Sequence, residues 1–208
     1  MKLANLSIGK RLALGFGAVG LMLVLISALS NASILRLNNG TKEIVEHRIP
    51  AIEMSNRVEA QISIIAIAVR NMMLNDDPAD RQRQVDAIEA ARKVMTTTLV
   101  EIEPTLMAHA ESIGILRRME TASASYLAGA DQLVKLIQAG EDAQARAYLL
   151  NELRPRLGLL KAATGAELAL QKQFSAAAAQ DAAATYGSTI RQTWGLGLFA
   201  LALAAAVA

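Results

Sequence analysis

The chain alternates between two regimes of hydrophobic patterning. At each end lies a charge-free apolar stretch, and between them apolar residues recur at steps of four and three. Leu12 to Leu35 is a run of 24 residues without a charge. At about 1.5 Å per residue it is long enough for the roughly 30 Å hydrocarbon layer of a bilayer. A cleaved leader has an apolar stretch of only about 7–15 residues, so a membrane helix over 12–35 is expected, although the small residues from Ala28 to Ala32 imitate a cleavage site. Lys2, Lys10 and Arg11 precede the run, and cationic flanks stay on the cytoplasmic side, so residues 1–11 are expected to be a cytoplasmic tail. Gln192 to Ala208 is again charge-free over 17 residues, with Arg191 before it and Trp194 at its entrance. This segment is expected to be the start of a second membrane helix, cut before its end, with Lys10, Arg11, Arg191 and Trp194 at the membrane interfaces. The alternative is an Ala-rich core helix.

Residues 36–191 read as helices packed lengthwise. Leu37, Thr41, Ile44, Arg48, Ala51, Ser55, Val58, Ile62, Ile65, Val69 and Met72 follow one unbroken 4-3 spacing, the seam of a helix in a bundle. Pro50 is expected to bend this helix, because it has no N–H for the Glu46 carbonyl. Asn75-Asp76-Asp77-Pro78 is a stop followed by a start, with Asp77 as N-cap, Pro78 as first helical residue and Asp80 in the first turn. The second seam is Val85, Ile88, Arg92, Met95, Leu99, Ile102 and Leu106, weakening at Pro104. A third helix uses Ile113, Leu116, Leu127, Ala130, Val134 and Ile137, is interrupted at Glu120 and Ser123, and closes at Gly140. A fourth runs from about Glu141 through Leu149, Leu153, Leu160, Leu170 and Phe174 into the second apolar end, kinked at Pro155. The Ala-rich stretch from Ala176 to Ala184 permits close helix approach. The fold class is therefore all-α: an up-down-up-down four-helix bundle whose outer helices are continuous with transmembrane helices.

Composition supports helices and removes other readings. The chain is 53% hydrophobic but only 3% aromatic, and it lacks the β-branched and aromatic surplus that strands need. The net charge of +2 hints at nucleic acid. From Arg36 to Arg191, however, 18 basic residues face 19 acidic ones, so the excess lies in the N-terminal tail and no nucleic-acid partner is expected. Without cysteine there is no thiolate metal site or thiol nucleophile. His47 and His109 stand far apart and out of ligand spacing, as surface or boundary residues. With no P-loop, no Ser-His-Asp arrangement and no paired carboxylates in motif context, neither enzyme activity, cofactor nor metal is expected.

Ile8-Gly9-Lys10-Arg11-Leu12-Ala13-Leu14-Gly15-Phe16 resembles the opening of bacterial methyl-accepting chemotaxis proteins. Leu136 to Leu157 resembles the later helices of their four-helix-bundle sensing domains. The resemblance implies a homodimer in the inner membrane with its sensor outside the cytoplasm. It also implies a small ligand, and a slight movement of the last membrane helix that reaches a cytoplasmic signalling module. The HAMP linker and kinase-control hairpin of that family are not in this sequence. Sensors of the same kind front histidine kinases and cyclic-dinucleotide enzymes, and a ligand-free structural or dimerisation bundle is a further alternative.

Bundle sensors build ligand sites from facing helices, and arginine holds carboxylates in a bidentate grip. Counted down from the distal turns, Arg70, Arg83, Lys135 and Arg146 are expected in one layer. Arg92, Tyr126 and Arg156 form a second about 20 Å lower. Arg92 falls on an apolar seam, where an unpaired charge is costly. Arg70, Arg92, Tyr126, Arg146 and Arg156 are the candidate contacts for a small-molecule carboxylate.

Overall fold

In a computed structural model the protein is described over residues 7–107 and 109–207, without the side chains at positions 8, 11, 206 and 207. Lys2 and the Arg11 side chain therefore lie outside the described residues, as does most of the expected cytoplasmic tail.

Every element among the described residues is helical: α1 (Ile8–Glu43), α2 (Ile49–Leu74), α3 (Pro78–Leu106), α4 (Ala110–Gln138), α5 (Asp142–Tyr148) and α6 (Arg154–Val207). π-Helical turns at Ile44–Arg48 and Leu149–Leu153 join α1 to α2 and α5 to α6. The chain divides into two compact units, Ile44–Ser175 and the paired ends Met1–Glu43 with Ala176–Ala208.

Ile44–Ser175 is the four-helix bundle, its columns being α2, α3, α4, and α5 with the first part of α6. From Arg48 to Met72 every member of the expected α2 seam is buried. α3 buries Ile88, Met95, Leu99, Ile102 and Leu106 as expected, but Ala91 rather than Arg92 fills the seam. The α4 seam differs from the expected one. Ser112, Leu116, Met119, Ser123, Tyr126, Ala130, Leu133 and Ile137 are all buried in a continuous 4-3 series, whereas Ile113 and Val134 are only partly so. Ser123 belongs to the seam instead of interrupting it, because its hydroxyl donates to the Glu120 carbonyl at 2.8 Å and needs no other partner.

The turns follow from their residues. Asp77 accepts from the N–H groups of Ala79 and Asp80, and Pro78 opens α3. The Arg83 guanidinium holds the Asp80 carboxyl below its ordinary value. Gly140, at φ +72°, ends α4, with its own N–H donating to Ile137 and the next N–H, of Glu141, to Leu136. That is the Schellman closure, and it needs a residue at ease in the left-handed region.

Pro50 and Pro155 produce π-helical turns where plain kinks were expected. Each turn ends two residues before its proline and contains the carbonyl, of Glu46 or Asn151, that the proline leaves without an N–H. In the fourth column the wide turn also absorbs an extra residue. Ala145, Leu149 and Leu153 step by four and four, and beyond them Leu153, Leu157, Leu160, Thr164, Glu167 and Gln171 return to 4-3 spacing on one buried or half-buried face.

In the other unit α1 and the end of α6 are joined where the Thr189 hydroxyl donates to Ser33 Oγ at 2.7 Å. The helical stretch that begins at Leu12 holds an 18-residue window of mean hydropathy 2.4, none of it buried. Among the described residues it is the one helix apolar and long enough to cross a membrane. Lys10, Arg191 and Trp194 are exposed.

Truncating the fully buried Leu116 to Ala is expected to cost about 2–5 kcal/mol of unfolding free energy. The same change at exposed Leu159 is expected to cost under about 0.5 kcal/mol; denaturant titration of the two variants measures the difference.

Candidate functional site

A bundle core tolerates a polar atom only where something satisfies it, so buried polar atoms without partners single out positions with another purpose. Among the described residues three such side-chain atoms have no hydrogen-bond partner: the hydroxyls of Tyr126 and Ser55, and Oε2 of Glu167.

Tyr126 sits on the α4 seam and is fully buried. It faces a small cavity walled by Ala66 and Val69 of α2, Leu149 and Leu153 of the second π-helical turn, and Leu157 of α6. Arg70 and Arg154 complete the lining, and both are exposed residues. The enclosed space is about 10 Å³, room for about one water-sized group. Burial pushes the Tyr126 phenol up to about 12, with Arg70 pulling the other way, so it stays protonated and can donate at neutral pH. The cavity thus has apolar walls, one phenol without a partner and two arginines in its lining.

Of the residues expected from sequence, the structure brings Arg70 and Tyr126 together. Arg92 forms an ion pair with Asp131 of α4. It borders a shallow α3–α4 groove of about 660 Å³ that also includes Glu89 and Lys135. Arg156 lies over Gly129, donating to the Ser125 carbonyl at 3.4 Å and to Glu152 at 3.3 Å. Arg146 is exposed on α5 and does not line the cavity, and Arg83 pairs with Asp80 at 2.8 Å. The expected layers are thus corrected. Counted from the turns, Arg70 lies about 6 Å down and Tyr126 about 18 Å down, yet both line one cavity. Arg154 was missed. Its signal was present in the sequence, since it directly follows seam residue Leu153 and precedes Pro155.

A second polar cluster occupies the end of the bundle where α3 turns into α4. Arg48, which closes the first π-helical turn, is buried; its Nη1 donates to Gln171 Oε1 at 3.2 Å, and its guanidinium lies 4.5 Å from the Phe174 ring centre. Gln171 Nε2 donates onward to Glu167 Oε1 at 2.6 Å and to Ser112 Oγ at 3.2 Å. His109 contacts Arg48 through Nε2 and stacks on Phe174 with ring centres 4.7 Å apart. Burial raises the Glu167 carboxyl above its ordinary value, against hydrogen bonds from Gln171 and Ser112 and the charge of Arg48. No group of three or more His, Asp or Glu among the described residues could hold a metal ion.

A buried hydroxyl without a partner costs about 1–3 kcal/mol. Tyr126→Phe is therefore expected to raise the thermal midpoint of the ligand-free protein by about 2–4 °C; a lowered midpoint in scanning calorimetry would contradict the account of the cavity.

The family model for a four helix bundle sensory module for signal transduction matches residues 5–186. No curated protein and no solved structure matches the chain. The four helical columns of Ile44–Ser175 are the organisation that this match describes. The chain belongs to the family of four-helix-bundle sensory modules for signal transduction.

Proposed function

We propose that the protein is the sensing part of a transmembrane chemoreceptor that takes a small organic acid at the pocket of Arg70, Arg154 and Tyr126. The observation that carries this reading is the unpartnered Tyr126 hydroxyl on a residue that lines one cavity with Arg70 and Arg154. One carboxylate oxygen accepts from the phenol, and the arginines neutralise the charge in charge-assisted hydrogen bonds. The membrane part of the reading is supported by the exposed apolar window of the helix that begins at Leu12, since a face of that kind is disfavoured in water. On this reading 12–35 and 192–208 lie in the inner membrane, residues 1–11 are cytoplasmic, and 36–191 are extracytoplasmic. Lys10, Arg11, Arg191 and Trp194 stand at the interfaces, and the signal passes to a cytoplasmic signalling module.

The pocket touches the second π-helical turn through Leu149 and Leu153, and Arg154 begins α6. An anion that draws Arg154 towards Tyr126 therefore acts at the head of the last helix. It biases the signal only by the difference in its affinity for two arrangements of that helix, about 1–3 kcal/mol in typical allosteric systems.

The receptor works as a homodimer in this proposal. The outer face of α2 carries a second 4-3 stripe, Ala60, Ile64, Ile67, Asn71 and Leu74, in which Ile67 is 55% and Leu74 85% exposed. A matching stripe on a second copy would bury these residues.

Titration calorimetry of the full chain in lipid nanodiscs with di- and tricarboxylates tests the pocket. Arg70→Ala and Arg154→Ala are expected to weaken binding by about tenfold or more, while Arg92→Ala and Arg146→Ala leave it unchanged. Absence of heat from every acid, or an equal loss in Arg146→Ala, would overturn the reading. Ile67→Arg is expected to shift the detergent-solubilised protein from dimer to monomer in mass photometry; an unchanged mass removes the α2 stripe as the interface.

A further inference from the structure

The anion pocket leaves the polar cluster around Glu167 without a role, and packing alone does not require it. Glu167 and Gln171 are fully buried on α6, one helical turn apart, and Ser112 is fully buried on α4. One apolar side chain at each of these places would continue the seam. Instead a chain of donors runs from Arg48 through Gln171 to Glu167 Oε1, and stops there, with Oε2 left without a partner.

We infer that Glu167 is a proton-binding site, and that the bundle carries a second input, proton concentration, separate from the anion pocket. The inference does not depend on the proposed ligand. In the protonated form Oε1 accepts from the Gln171 amide, Oε2 carries the proton, and Gln171 bridges the neutral acid to Arg48 at 2.6 and 3.2 Å. Loss of the proton to solvent leaves a buried carboxylate one amide away from a buried guanidinium. Charge then favours direct pairing with Arg48 or entry of water, and Gln171 must yield in either case. Arg48 closes the π-helical turn ahead of α2, Ser112 lies on α4, and Glu167 and Gln171 lie on α6, so the proton decides how three columns meet.

Arg48 of the first π-helical turn favours the ionised form, and Glu111 of α4 opposes it. His109, at the start of α4, reaches the cluster through Arg48 and Phe174. α3 brings apolar Ile102 and Leu106 to this end of the bundle. The carboxyl is raised above the ordinary 4.5 by burial first, with the hydrogen bonds from Gln171 and Ser112 and the charge of Arg48 as smaller opposing effects. The folded form thus holds its proton more tightly than the unfolded chain. The associated stability is complete below about pH 4.5 and is lost as pH rises through the raised value.

The test uses the full chain in nanodiscs without added carboxylate. As pH rises from 4.5 through the neutral range, the thermal midpoint of the wild type is expected to fall as this carboxyl loses its proton. Glu167→Gln keeps the amide-like hydrogen bonds and removes the titration, so its profile is expected to be flat over that range. His109→Gln keeps the wild-type fall. Spin labels at exposed Glu53 and Lys172 are expected to report a pH-dependent change in distance in the wild type and His109→Gln, and none in Glu167→Gln. A ¹³C carboxyl titration of the wild type supplies a readout that needs no variant, because one of the twelve glutamates must titrate above the others. A flat wild-type profile, no elevated glutamate, an unchanged profile in Glu167→Gln, or loss of the titration in His109→Gln would each overturn the inference.

Discussion

Four helices can share one core only if each presents a continuous 4-3 stripe to the others, and every polar group on a stripe must then be satisfied inside it. That constraint organises the bundle. Ser123 meets it by bonding back to its own helix, and Thr164 does the same with Leu160. Arg48 meets it through Gln171 and the face of Phe174. Ser55, Tyr126 and Glu167 do not meet it fully, and of these Glu167 carries an ionisable carboxyl and Tyr126 borders a cavity. On the reading proposed here, Tyr126 takes an anion and Glu167 a proton.

The prolines set a second constraint. A proline inside a packed helix has to break a hydrogen bond, and here both outer columns widen into a π-helical turn that keeps the column continuous. These turns fall at the two functional clusters. Leu149–Leu153 walls the Tyr126 cavity, and Ile44–Arg48 ends in the arginine of the Glu167 cluster. A turn that already holds one residue beyond the α-helical count needs little change to take it up or release it. The chain therefore has its least regular backbone where ligand or proton would act.

Much of this was legible from residue order. The α2 seam from Arg48 to Met72, the Asp77-Pro78 start of α3 and the Gly140 closure of α4 follow from local rules that tertiary contacts do not alter. The α4 seam was harder, because Ser112 and Ser123 look polar until their own bonds are known, and Tyr126 was expected as a ligand contact and not as a member of the seam. Arg92 sits one position off the seam, which Ala91 fills, and pairs with Asp131. Counting heights from the turns places backbones and not side chains, and so it put Arg70 and Tyr126 in different layers although they line one cavity. In α6 the Ala-rich sequence offers little contrast, and the extra residue of the π-helical turn shifts the register just before Glu167 and Gln171. Arg154 escaped for the same reason.

The central claim is that the Tyr126 hydroxyl lacks a partner until an anion arrives. The chain has three tyrosines, Tyr126, Tyr148 and Tyr186, so the ring carbon bearing each hydroxyl can be followed in ¹³C-tyrosine-labelled protein. On titration with a binding carboxylate the Tyr126 resonance should move as its phenol becomes a donor, saturating with the binding isotherm, while that of exposed Tyr186 stays in place. A bound carboxylate that leaves the Tyr126 resonance unmoved would contradict the account.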